Sequence, residues 1–135
     1  MIGMRVPWAV VGAVSAGGAL GSLARYGLSQ AWPARPGQFP WATFTINVSG
    51  CLLIGALTVL ITEVWQAPPL ARPFLGVGVL GGFTTFSSYA VEGQRLVATG
   101  AAWTALLYLG GTLVMALGAT YAGMAGARAV ARWGR

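Results

Sequence analysis

The sequence predicts an all-α integral membrane protein of four transmembrane helices, the third broken at Gly81-Gly82. Three observations carry this expectation. First, 56% of the 135 residues are hydrophobic and only 7% are charged, against roughly 25% charged in a soluble domain. Second, the eight arginines and two glutamates leave four long apolar stretches, and no lysine or histidine interrupts them. Third, inside the third stretch, Pro73 to Val91, two adjacent glycines are followed by Thr84, Thr85, Ser87 and Ser88. Mean hydropathy is +0.71.

The chain reads as one membrane domain over 1–135, with spans at about 6–30, 41–63, 72–98 and 101–127, since about 20 apolar residues cross a bilayer core. The first follows Arg5. Its start could pose as a signal peptide, with small residues at Ala13 to Ala16, but the apolar character continues past them to Leu23. Gly17 and Gly21 form a GxxxG pair on one face, which suits close helix contact.

Trp32, Pro33, Arg35, Pro36, Gly37 and Pro40 make a connector, and the second span starts at Trp41. Asn47 is its outlier, because a carboxamide in mid-span is costly without a partner. Pro68 and Pro69 mark the next connector, and the broken third span follows. Loose backbone groups in lipid are tolerated only where they are buried in protein or line a wet cavity. Such breaks in transporters mark ion sites, whereas the plain alternative is a glycine-softened helix packed on a neighbour. Glu92 and Arg95 close this span and Thr99-Gly100 turns the chain. The fourth span carries Tyr108 and Thr112 four apart on one face, before Arg128, Arg132 and Arg135.

With four spans, one side of the membrane holds Arg5, Arg72, Arg128, Arg132 and Arg135, and the other Arg25, Arg35 and Arg95. That bias is weak, so the orientation is poorly specified. The basic excess suits anionic headgroups rather than a nucleic acid, which would need arginines clustered on a soluble face. Cys51 is the lone cysteine and reads as an apolar filler. Without histidine, and with the two glutamates apart at span ends, metal and acid–base constellations are missing, and an enzyme is not expected.

The in-membrane polar groups are then Thr43, Asn47, Thr84, Thr85, Ser87, Ser88, Tyr89, Tyr108 and Thr112. All can donate a hydrogen bond and none is a carboxylate. Cation pathways use acids or carbonyl filters, so a path of amide, hydroxyl and phenol donors suits an anion. Aromatic ring edges are electropositive and suit one too. Alternatively, each hydroxyl satisfies a carbonyl of its own helix.

Gly-Gly-Phe-Thr-Thr-Phe-Ser-Ser-Tyr at 81–89 resembles the signature of the CrcB/Fluc fluoride channels, Gly-Gly-x-Thr-Thr-Phe-Ser-Ser/Thr-Phe. Thr43 to Gly50 resembles the second-helix motif of that family, and Gly17 to Tyr26 its first-helix motif. The resemblance implies passive fluoride export across the plasma (bacterial inner) membrane by an antiparallel, dual-topology dimer with two pores. A structural sodium ion at the dimer centre would be held by the carbonyls of Gly81 and Thr84. Phe86 would be the first pore aromatic, with Asn47, Thr43, Ser87, Tyr108 and Thr112 as polar lining. Tyr89 stands where the family has phenylalanine; it is expected to serve as the second aromatic station, its hydroxyl incidental. Paired chains of fixed opposite topology, hence a heterodimer, are the variant of this arrangement. Two other classes fit less well. A small multidrug exporter needs a membrane-embedded acid, and a helical scaffold subunit leaves Asn47 and the break unexplained.

Overall fold

The computed structural model describes Arg5 and residues 7–134. The expected start of the first span at residue 6, and Arg135 of the basic C-terminus, lie outside the described residues. Helix α1 is Trp8–Ala31 and α2 is Trp41–Val59, which continues as a wider π-helical stretch over Leu60–Val64. α3 is composite, π-helical over Arg72–Leu80 and then one α-turn over Gly81–Phe83. α4 is Phe86–Ala98 and α5 is Ala102–Trp133.

Three helical stretches are long and apolar enough to cross a membrane: Trp41–Val64, Arg72–Ala98 and Ala102–Trp133. α1, expected as a span, has the length at 24 residues, but five glycines, three serines and Arg25 dilute its apolar character. The burial pattern is that of a chain solvated by lipid. Ile46, Val59 and Tyr108 are the largest fully buried side chains, while Leu106, Leu113, Val114 and Leu117 of α5 point outward. A soluble domain of this size would bury such residues.

Two packed pairs make the bundle: α2 lies along α5, and α1 along α3. Both pairs meet backbone to backbone. A side chain at Gly17 would run into the Phe74 carbonyl, one at Gly21 into the Val79 carbonyl, and one at Gly82 into the Gly18 carbonyl. The GxxxG face of α1 is therefore its seam with α3. Across the other pair, Gly55 abuts the Thr120 carbonyl and Gly123 the Leu52 carbonyl.

The break in the third span is displaced from its expected place. Gly81 is helical, at φ −65° and ψ −37°. The chain turns extended at Thr84 (φ −76°, ψ 154°) and Thr85 (φ −146°, ψ 124°). The glycines do not break the helix because their missing side chains serve its contact with α1. β-branched threonines, which tolerate extended backbone well, carry the break instead. α5 also runs six residues beyond its expected end. Its extension carries Arg128, which grips Glu63 of α2 at 2.8 Å.

Candidate functional site

The break is held by one side chain. The Asn47 carboxamide accepts from the Thr85 N–H at 2.8 Å and donates to the Thr85 carbonyl at 2.9 Å. It thus pairs with an extended residue as a neighbouring strand would, and satisfies both backbone groups that a helix can no longer serve. Asn47 is 9% exposed. This answers the question its mid-span position posed. Thr85 also starts α4, its hydroxyl accepting from the Ser88 N–H at 3.2 Å. Because the Thr85 N–H turns to Asn47, the Gly81 carbonyl loses its ordinary helical donor. The Gly82 carbonyl is occupied differently, by Arg25 Nε at 3.1 Å and the Ser22 hydroxyl at 3.4 Å.

Beside the clamp lies a cleft of about 760 Å³, lined by Asn47, Thr84, Phe86, Tyr89 and Thr112 among others. Helix α4 presents Phe86 and Tyr89 one turn apart, ring centroids 5.7 Å from each other. Phe86 is 80% exposed. Ser87, expected among the lining, is exposed and is not part of this cleft; its hydroxyl lies 3.3 Å from that of Thr85.

Thr43 and Tyr108 sit on the far side of Tyr89, whose ring centroid is 5.4 Å from that of Tyr108. Both are buried, and both hydroxyls donate to Glu92, Thr43 at 2.9 Å and Tyr108 at 2.8 Å. This corrects the reading of Glu92 as a span-end charge and of the polar set as free of carboxylates. Glu92 lies three residues beyond Tyr89 in α4, so helical spacing turns it toward the same helices. That spacing is the signal by which it could have been found.

Several expected donors are already engaged. Thr112 donates to the Tyr108 carbonyl at 2.6 Å and Thr84 to the Leu80 carbonyl at 2.9 Å, each within its own helix. The Tyr89 hydroxyl donates to the Leu109 carbonyl of α5 at 2.7 Å. It is an anchor between α4 and α5 rather than incidental. Of the polar groups lining the cleft, the second N–H of Asn47 takes no part in these bonds, and the rings of Phe86 and Tyr89 line it beside that group.

The sequence is similar to that of known proteins. The family model described as "CrcB-like protein, Camphor Resistance (CrcB)" matches residues 12–124. A protein of Nocardia farcinica called fluoride-specific ion channel FluC 2 is 52% identical over 120 residues, covering 89% of this chain and 86% of its own. One of Streptomyces coelicolor, fluoride-specific ion channel FluC 1, is 49% identical over 131 residues, 97% of this chain and 85% of its own. One of Streptomyces avermitilis, fluoride-specific ion channel FluC 2, is 56% identical over 104 residues, 77% of this chain and 66% of its own. The matched residues reach from α1 through the break and its Asn47 clamp into α5, and on that breadth the chain belongs to the CrcB family of ion channels rather than to any enzyme class.

Proposed function

We propose that this protein is a fluoride-selective channel that lets fluoride leave the cytoplasm passively through the plasma membrane. The observation that carries the reading is the cleft around Asn47. Asn47, with one amide N–H not engaged by Thr85, lines it together with Phe86 and Tyr89, and relatives named as fluoride channels match the chain across this stretch. Fluoride is small and strongly hydrated, so it enters only where ordered donors replace its water. Deeper in, an anion would compete with Glu92 for the hydroxyls of Thr43 and Tyr108.

The working unit is proposed to be an antiparallel homodimer with two pores and a sodium ion at its centre. The freed Gly81 carbonyl and the extended Thr84 fit such a cation, since carbonyls without a helical donor are hard oxygen ligands. When bound, sodium would offset the repulsion between anions and tie the two breaks together. Glu92 is the one observation that favours the exporter reading, because it is a membrane-embedded acid. Both of its oxygens, however, already accept hydroxyl donors.

Liposomes containing this chain alone should release fluoride and retain chloride. Comparable fluxes of the two ions would refute the pore assignment, and proton-driven uptake of an organic cation would favour the exporter. Exhaustive removal of sodium should abolish fluoride flux and shift the purified protein from dimer to monomer. Full activity without sodium would remove the central cation from the proposal. Labelling a C-terminal cysteine from both faces of the membrane checks the antiparallel arrangement; labelling from one face only would refute it.

A further inference from the structure

A second cavity, of about 390 Å³, opens at the end of the bundle where α1 turns into α2 and α4 into α5. Its walls include Arg35, Pro40, Arg95 and Thr99, and Glu92 lies among its lining. The proposed pathway therefore reaches this cavity through Glu92, which Thr43 and Tyr108 hold from the other side.

Its charge is the informative feature. Arg35 and Arg95 are exposed, and neither forms an ion pair among the described residues, in contrast to Arg128 with Glu63. Two arginines and one glutamate leave the cavity a formal charge of +1. The Glu92 oxygens are turned to hydroxyl donors instead of the guanidinium groups. The backbone of Arg35 is also held in place. It begins a tight turn in which the Gln38 N–H donates to the Arg35 carbonyl at 3.0 Å, with Pro36 next and Gly37 at φ +78°. Proline at the second position and a positive-φ glycine at the third are the marks of a type II turn. Arg95 stands in the last turn of α4, whose closing carbonyls favour a cation there.

We infer that Arg35 and Arg95 make this cavity an anion-gathering mouth of the pathway, one that collects small hydrated anions by charge before the Asn47 cleft sorts them. The inference rests on the channel reading above. A cleft of net positive charge with low-dielectric walls raises local anion concentration and entry rate, and salt weakens that effect. The mouth therefore sets the rate at low anion concentration and leaves selectivity alone.

The test is fluoride efflux at fixed fluoride and fixed sodium, with inert gluconate raising the ionic strength. Parent flux should fall as ionic strength rises from about 0.02 M to about 0.5 M, where the screening length drops from roughly 20 Å to a few ångströms. The Arg35→Gln, Arg95→Gln double variant should be slower than the parent by about 3–10-fold at low ionic strength, and equal to it at high ionic strength. Its fluoride-over-chloride preference should match the parent's. Arg35→Lys, which keeps the charge, should restore most of the flux when paired with Arg95. Parent flux insensitive to salt, a double variant as fast as the parent at low salt, or a deficit that persists at high salt would each overturn the inference. The salt response of the parent needs no variant and decides the matter if the double variant fails to fold. A parent that conducts no fluoride would instead be a failure of the channel reading itself.

Discussion

Asn47→Ala is expected to abolish fluoride flux and to destabilise the bundle by roughly 1–3 kcal/mol, the cost of two part-buried backbone groups left without their partner. Both groups belong to Thr85, and Asn47 is the side chain that bonds them. Without the clamp, α4 loses the reference that aims Phe86, Tyr89 and Glu92. Asn47→Asp separates holding from conduction. Its carboxylate can still accept from the Thr85 N–H, but it opposes the Thr85 carbonyl and sets a negative charge in the cleft. It should be less destabilised than the alanine variant and equally inactive. The measurements are fluoride efflux and thermal unfolding in detergent. An alanine variant that melts and conducts like the parent would show that the break is held by something other than Asn47.

Phe86→Ile should also abolish flux, by a different route and with little change in stability. In the single chain Phe86 is 80% exposed and packs on little beyond Tyr89. Exposed substitutions usually shift stability by about 0.5 kcal/mol or less. Isoleucine keeps apolar bulk and removes the electropositive ring edge. Tyr89→Phe makes the reciprocal change, because it keeps the edge and loses the bond to the Leu109 carbonyl. It should conduct within about 3-fold of the parent while losing about 1 kcal/mol of stability, the usual worth of one hydrogen bond. Normal flux through Phe86→Ile alongside a dead Tyr89→Phe would reverse the two roles.

Much of this was legible in the sequence because lipid imposes simple rules. Long apolar runs between arginines gave the helices, and prolines gave the connectors. Gly17 and Gly21 announced a close contact, though not its partner. The break was harder. A glycine serves a distortion or a close approach equally well, and only the position of Gly18 against Gly82 shows which applies here. The actual break depends on Asn47, 38 residues away from Thr85. Glu92 was misplaced for a similar reason. Beside Gly93, Gln94 and Arg95 it looks like the end of a span, and the hydroxyls that hold it come from two other helices. Tyr89 shows the limit for a single side chain, since its spacing placed the ring and could not reveal that α5 offers a carbonyl to its hydroxyl.

The seam between α1 and α3 has a consequence for assembly in the bilayer. Most helix pairs freeze side-chain rotamers when they close, at up to about 2 kcal/mol for a long side chain. Gly17, Gly21, Gly78 and Gly82 have no rotamers to freeze, and Gly55 and Gly123 give the α2–α5 pair the same property at two points. Neither contact has to wait for side chains to find a fit. Both can therefore close early, as two rigid plates, once their helices are inserted. α4 packs mainly on α5 and has the weaker hold on both plates, so it is expected to settle last, when Asn47 catches Thr85. The element that carries the aromatic rings is thus expected to be the last ordered, after the frame that positions it is set.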